Sequence, residues 1–286
     1  MGGSRAAKQL TVRDRERRVE RGGTSRSAPI ALVAPGVVAV AFLVLPLIGL
    51  IIRAPWGRIG SAISGSAALQ ALELSLWTAS LSTAVALLIG VPLAWLLART
   101  VFPGQRLLRA LVTLPLVLPP VVGGVALLLV FGRAGFIGRL LNEWFGLTIP
   151  FTPIAVVMAE TFVAMPFLIV TVEGALRSAN LGYEEAAATM GASKMTVFSR
   201  VTVPMIAPSL GAGAVLCWAR ALGEFGATIT FAGSFPGQTE TMPIAVYYAL
   251  ENDPDAAIAL SLILLLVSVA VLVSLRDRWL RGGSTQ

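Results

Sequence analysis

Residues Glu184–Pro208 read EEAAATMGASKMTVFSRVTVPMIAP, a mainly polar stretch between two long apolar runs. A helix needs about 20 apolar residues to cross the hydrocarbon core of a bilayer, which is roughly 30 Å thick. Both flanking runs reach that length. The stretch is therefore expected to connect two membrane-spanning helices and to lie at a membrane surface. Identifying what this surface stretch binds would give the first indication of the protein's function.

Two short helices are predicted within this stretch. Glu184 and Glu185 fall in the first turn of the first helix, where acidic side chains meet the positive end of the helix dipole. Gly191 can adopt a positive φ and end that helix. Ser193 can cap a second helix, which ends before Pro204 opens the next apolar run. The result is a bent pair of short helices.

The first of these helices has a small, flush face. Ala186 and Ala187 follow the two glutamates and are strong helix formers with almost no side-chain bulk. Such a face, with charged residues at its edges, suits insertion into a groove on another protein. An ordinary amphipathic connector is the alternative that the residues leave open.

The composition is that of an integral membrane protein. Apolar residues make up 56% of the 286, and the mean hydropathy is +0.82, above the range usual for globular domains. We predict an all-α membrane protein with six transmembrane helices, because six runs are long and apolar enough to span a bilayer. These runs cover residues 30–52, 69–98, 110–132, 151–176, 206–232 and 256–275.

The basic residues predict the orientation of these spans. The 22 Lys and Arg residues divide into 17 on one side and 4 on the other, with Arg220 inside a span. Lys and Arg are enriched in cytoplasmic loops, so both termini and the loop 177–205 are expected in the cytoplasm. Residues 1–29 form a basic tail that is predicted to be disordered and to lie near anionic membrane lipid. The net charge of +7 then reflects topology and not nucleic-acid binding.

The sequence lacks the residues that several kinds of catalytic and metal-binding site require. The chain has no histidine, and its one cysteine, Cys217, lies in an apolar run. Histidine catalysis, the usual zinc sites and a disulfide framework are therefore not expected. Neither Lys8 nor Lys194 belongs to a G-x-x-x-x-G-K-[ST] phosphate loop. We predict that the chain is not an enzyme and holds no metal or cofactor of its own.

Prolines in the third predicted span require a kink. Pro119 and Pro120 lie near its middle. Proline frees a backbone carbonyl that must be satisfied within the membrane by neighbours or by water. The two prolines either line a translocation path or belong to a bent packing helix.

Two charges fall in the fifth predicted span. Arg220 and Glu224 are four residues apart, hence on one helical face. A lone charge at mid-membrane costs about 3 kcal/mol on insertion scales, so a structural ion pair is one interpretation. The other is that this face borders a translocation path, where Arg220 offsets the charge of a passing oxyanion. Phe225 and Thr228 would then act as gate or lining.

The polar stretch resembles a known motif. Glu185-Ala186-Ala187, three residues, Gly191, nine residues and Val201-Thr202-Val203-Pro204 match the spacing of the EAA motif of ABC importer permeases, with Val at two positions that usually hold Ile and Leu. The resemblance implies a type 1 permease core over 69–276, with coupling helices at 183–203 that dock into a cleft of an ATPase subunit. The coupling residues that it implies are Glu184, Glu185, Ala186, Ala187, Gly191 and Pro204.

Two downstream runs narrow the resemblance. ARALGEFGATITFAG (Ala219–Gly233) and PGQTETMPIAVYYALE (Pro236–Glu251) are similar to molybdate permeases. The RALGE portion is shared with sulfate/thiosulfate permeases and indicates only a tetrahedral oxyanion, whereas the second run is similar to the molybdate branch. We therefore predict molybdate as the substrate in preference to sulfate. Tungstate has nearly the same size and charge as molybdate, and the sequence does not distinguish between these two anions.

The resemblance also implies partners and a mechanism. A second permease copy, two ATPase subunits that bind ATP and Mg²⁺, and an extracytoplasmic oxyanion-binding protein would form an importer in the cytoplasmic membrane. It would work by alternating access. The rival class is an ion-coupled secondary transporter, in which Glu160 and Glu224 would be the intramembrane acids.

Overall fold

The computed structural model describes residues 30–60 and 65–280, and the predicted tail 1–29 lies outside the described residues. No strand occurs in the described part of the chain. The predicted all-α fold is confirmed. In chain order the helices are α1 (Ile30–Ile52), α2 (Ser66–Arg99), α3 (Gln105–Val117), α4 (Pro120–Phe131), α5 (Phe136–Phe145), α6 (Pro153–Ser178), α7 (Leu181–Thr189), α8 (Lys194–Val197), a π-helical turn (Phe198–Thr202), α9 (Val203–Leu222), α10 (Gly226–Phe231), α11 (Met242–Asn252) and α12 (Pro254–Leu280).

The chain divides into two units after Ile52. In the first unit, α1 has the length and composition of a membrane span over Val33–Ile52, as predicted for residues 30–52. The second unit holds the other helices. Among the described residues of both units, five helices are long and apolar enough to cross a membrane. The count is six if the bent pair α3 and α4 forms one span.

The third predicted span is two helices and not one kinked helix. α3 and α4 are bent by 118° relative to each other. Leu118 and Pro119, between them, both lie outside the α region, with ψ of 132° and 131°. A residue that precedes proline is pushed out of the α region, and here this happens twice in succession before Pro120. The chain therefore turns at this point.

The fifth predicted span, 206–232, also differs from the structure. α8, the π-helical turn and α9 continue as one helix, Lys194–Leu222, so the second helix of the polar stretch is not separate from the span. Pro204 has no N–H to donate, and the π-helical turn widens the backbone just before it. At the other end, α9 stops at Leu222 and α10 begins only at Gly226.

α6 is the central helix of the second unit. It packs against α2, α3, α4, α9 and α10, and Leu168, Ile169 and Leu176 on it are fully buried. Gly213 lets α9 approach closely, because a Cβ there would lie 3.0 Å from Leu168 Cδ1. This core fixes the positions of the helices that carry the candidate site.

Candidate functional site: paired helix breaks and a polar loop

The polar loop after α6 is a capped helix followed by a glycine turn. Asn180 Oδ1 accepts a hydrogen bond from Gly182 N at 2.9 Å and caps α7. Gly191 has a φ of +87°, and Ser193 Oγ accepts from Thr196 N at 3.2 Å to cap α8. The conformations predicted for Gly191 and Ser193 are confirmed, while their part in binding an ATPase stays a prediction.

The two glutamates of α7 face different surroundings. Glu184 Oε1 lies 2.8 Å from Arg99 Nη2 and accepts a hydrogen bond from Thr202 Oγ1 at 3.1 Å. Glu185, by contrast, is exposed. Glu184 therefore ties α7 to its own chain. Neither Arg99 nor Thr202 was among the coupling residues predicted from the sequence.

Two alanines of α7 also differ in their exposure to solvent. Ala187 is buried and Ala186 is exposed. Of the other predicted coupling residues, Glu185, Gly191 and Pro204 are exposed as well. The exposed side of α7 therefore carries a small side chain, Ala186, next to an acidic one, Glu185, and its part in docking stays a prediction.

In the second unit, the helix break before α4 packs against the helix break before α10. A Cβ on Gly226, the first residue of α10, would lie 3.0 Å from Pro120 Cβ and 3.1 Å from Val121 N. A Cβ on Gly124, one turn into α4, would lie only 2.7 Å from Ala227 O. The starts of α4 and α10 are thus interlocked through two glycines. Pro119 and Pro120 are exposed at this point.

The predicted pair of charges forms beside these breaks. Arg220 Nη2 lies 2.7 Å from Glu224 Oε2, with the side chains 28% and 1% exposed. Glu224 lies beyond the end of α9, in the turn before α10, and not on a continuous helix as predicted. Its Oε1 accepts a hydrogen bond from Ala227 N at 2.8 Å and so caps α10. Oε2 accepts no aligned hydrogen bond from the described residues, so its contact with Arg220 is electrostatic.

Phe225 and Thr228 follow Glu224 in the sequence, by one and by four positions. The Phe225 ring packs on Tyr247 of α11, with ring centroids 5.2 Å apart. Thr228 is fully buried, and its hydroxyl has no hydrogen-bond partner within the described residues. Tyr247 belongs to the second run that resembles molybdate permeases, but only the structure places it against Phe225.

Glu160, the other acid considered for ion coupling, is held by neutral hydroxyls. It is 1% exposed, and it accepts hydrogen bonds from Thr78 Oγ1 and Ser82 Oγ of α2, both at 2.9 Å. Both intramembrane acids therefore have partners within the chain. The described residues contain no group of three or more His, Cys, Asp and Glu side chains that could hold a metal ion.

A family model decides the class of this architecture. Residues 90–282 match the family described as "Binding-protein-dependent transport system inner membrane component". The chain belongs to this family. It is the permease subunit of an ABC importer, a multi-pass component of the inner membrane that is not itself catalytic.

The permease is similar to known proteins over most of its length. It is 48% identical over 252 residues to Molybdenum transport system permease protein ModB of Mycobacterium tuberculosis, which covers 88% of this chain and 95% of the relative. ModB of Escherichia coli is 41% identical over 211 residues, 74% of this chain and 92% of the relative. Sulfate transport system permease protein CysT of Escherichia coli is 34% identical over 245 residues, which cover 84% of this chain and 88% of the relative.

A solved structure shares the fold of the permease. It is a bacterial alginate ABC transporter in complex with an alginate pentasaccharide-bound periplasmic protein, matched with a TM-score of 0.72 at 19% identity. The match covers 90% of this chain and 95% of the other. The predicted ABC type 1 importer fold is confirmed.

Proposed function

We propose that this permease moves molybdate across the inner membrane as the membrane subunit of an ATP-driven importer. The observation that carries the proposal is the 48% identity with a molybdenum permease, against 34% with a sulfate permease. Tungstate, of nearly the same size and charge, would follow the same path. Sulfate or thiosulfate is the second candidate, because the RALGE portion is shared with sulfate/thiosulfate permeases.

A partner ATPase subunit would bind ATP and Mg²⁺ and dock on the exposed face of α7. That face offers Glu185 and Ala186, while Glu184 and Ala187 hold the opposite face to the permease. Docking would therefore leave the contacts within the chain in place. The turn at Gly191 would bring the start of the long helix Lys194–Leu222 to the edge of the same interface.

Ala186→Arg is expected to lower the amount of ATPase subunit that co-purifies with the permease at least tenfold. A long charged side chain would fill the docking face, whereas a surface substitution of this kind usually changes stability by less than about 0.5 kcal/mol. The melting temperature of the permease should therefore stay unchanged. Ala187→Arg is the matched variant: it buries a charge and should lower the melting temperature itself. Normal ATPase binding by Ala186→Arg would contradict the docking face.

The proposed path runs beside the paired helix breaks. The guanidinium of Arg220 is partly exposed and can attract a dianion, while Glu224 lowers the net positive charge and keeps binding weak enough for release. A weak site fits a permease whose specificity resides in an external binding protein. The remaining lining would consist of Phe225, Thr228, Pro119 and Pro120.

A second permease copy and two ATPase subunits would complete the complex in the lipid bilayer. An extracytoplasmic oxyanion-binding protein would deliver the anion, a kind of partner that the alginate transporter complex also contains. ATP binding would bring the two ATPase subunits together, the docked α7 helices would move with them, and the permease cores would open outward. Hydrolysis would return the path to the inward-facing state. No nucleic acid takes part.

The proposed orientation places the α7 loop and both termini in the cytoplasm. Gln238→Cys should react with a membrane-impermeant maleimide added to intact cells, and Ser193→Cys should react only after permeabilisation. Both positions are exposed, and the chain's natural thiol, Cys217, is buried, so background labelling should be low. The opposite labelling pattern would overturn this orientation.

Uptake by proteoliposomes that hold the reassembled importer tests the proposed function. Molybdate accumulation is expected to require ATP on the side of the ATPase subunits and to be insensitive to a proton uncoupler. Accumulation driven by a proton gradient without ATP would instead support secondary transport through Glu160 and Glu224.

A further inference from the structure

Three side chains from separate segments meet at α7. Glu184 Oε1 lies 2.8 Å from Arg99 Nη2, and the Thr202 hydroxyl donates to the same oxygen at 3.1 Å. Thr202 is buried, and the side chains of Arg99 and Glu184 are 9% and 15% exposed. We call these three residues the Glu184 clamp.

The Glu184 clamp joins the docking loop to two long membrane helices. Arg99 is the last residue of α2, and Thr202 is the last residue of the π-helical turn that leads into α9. α2 and α9 pack against each other and against α6, and α9 carries Arg220 in its last turn. α7 is therefore tied to α2 and to α9, and α9 ends at Leu222, directly before the break that precedes α10.

The clamp depends on the charge of Glu184. Arg99 Nε is buried without an acceptor among the described residues, so the guanidinium is already incompletely hydrogen-bonded. The contact with Glu184 supplies its counter-charge at 2.8 Å. Removing one partner of a largely buried pair leaves the other charge uncompensated, which is strongly unfavourable. Arg99 would then turn toward solvent, and α7 would lose its tie to α2.

We infer that Glu184 is a positioning residue that transmits movement of the ATPase-docked loop to α2 and α9, and not a contact to the ATPase. The inference rests on the proposed function, since it takes the exposed face of α7 as the ATPase site. Glu185, the next residue, faces outward and is free for that contact. The two adjacent glutamates thus have different tasks.

The ratio of ATP hydrolysed to molybdate imported tests the clamp in the full reconstituted complex. Glu184→Gln keeps the shape of the side chain and removes its charge. It should leave ATPase binding within twofold of wild type and raise the ratio at least fivefold, and Arg99→Met should act alike. The double variant Arg99→Glu with Glu184→Arg restores the pair and should return the ratio to within twofold of wild type. Glu143→Gln, in an exposed ion pair, is the matched control and should not change the ratio.

A distance measurement separates failure of the clamp from failure of the proposed function. Nitroxide labels at positions 101 and 189, exposed sites just after α2 and at the end of α7, should give a narrow distance distribution. The full chain would carry Cys217→Ser and be diluted with unlabelled chain in a bilayer. Glu184→Gln should broaden the distribution, and Glu185→Gln should not.

The outcomes are distinct. Absence of ATP-driven molybdate uptake by the wild type would remove the proposed function, while the distance measurement would still test the clamp. An unbroadened distribution or an unchanged transport ratio with Glu184→Gln would overturn the inference. So would a loss of ATPase binding as large as that of Ala186→Arg, because Glu184 would then be a docking residue.

Discussion

Arg220→Ala is expected to leave the permease poorly folded. Glu224 is fully buried, and its Oε2 lies 2.7 Å from Arg220 Nη2. Breaking a buried ion pair by removing one partner costs about 3–5 kcal/mol, because the remaining charge is left uncompensated. Arg220 is partly exposed, so we expect the lower end of that range. The fall should appear as a reduced yield and a reduced melting temperature of the purified chain.

Glu224→Gln in the same chain should restore folding and separate the two roles of the pair. A glutamine oxygen can still accept from Ala227 N, as Glu224 Oε1 does at 2.8 Å. If Arg220 serves the anion, the double variant imports molybdate at least tenfold more slowly while ATP hydrolysis continues. Near-normal uptake by the double variant would show that the pair is structural only.

An exposed ion pair in the same chain provides the control. Arg139 and Glu143 in α5 are 3.7 Å apart, with side chains 66% and 57% exposed. Exposed pairs contribute about 0–1 kcal/mol. Arg139→Ala should therefore leave the yield and the melting temperature nearly unchanged, which would tie the effect of Arg220→Ala to burial.

Gly124→Val should separate the two helix breaks and abolish uptake. Even the first carbon of a side chain at Gly124 would lie 2.7 Å from Ala227 O and 2.7 Å from Thr230 Cβ. A backbone oxygen cannot move aside as a side chain can, so α4 and α10 must shift apart. Overpacking of this kind costs about 1–3 kcal/mol. Glu224 caps α10 at this contact, so the shift should also disturb the Arg220–Glu224 pair. Uptake by the reconstituted complex and the melting temperature are the measurements.

Gly174→Val is the matched control for that substitution. Gly174 lies within α6, is exposed, and has no atom within 4 Å of an added Cβ. Valine at a helix interior is no worse than glycine for helix propensity, so folding and uptake should be retained. Normal uptake by Gly124→Val would contradict the importance of the interlocked breaks.

The number of spans could be predicted from the lengths of the apolar runs. The shapes of the third and fifth predicted spans could not. Pro119 and Pro120 predicted a kink, yet the 118° turn also depends on Gly226 and Gly124 fitting α4 against α10. The α4–α10 contact joins residues about 100 positions apart, and local propensity carries no information about it. The end of α9 at Leu222 was hidden because apolar residues continue on both sides of the break.

The loop shows the same division between local and long-range information. The positive φ of Gly191 and the cap at Ser193 depend on neighbouring residues alone, and both were predictable. Which glutamate faces inward was not, because the choice depends on Arg99, 85 positions away in the sequence. Tyr247 likewise became a neighbour of Phe225 only through the packing of α11.

Stimulation of ATP hydrolysis by the loaded binding protein tests the central claim most directly. The reconstituted complex of permease and ATPase subunits would receive the extracytoplasmic binding protein in three forms: loaded with molybdate, loaded with sulfate, and empty. We expect the molybdate-loaded form to raise the hydrolysis rate several-fold above the empty form, and the sulfate-loaded form to leave it near the basal rate. Equal or greater stimulation by the sulfate-loaded form would contradict a molybdate importer.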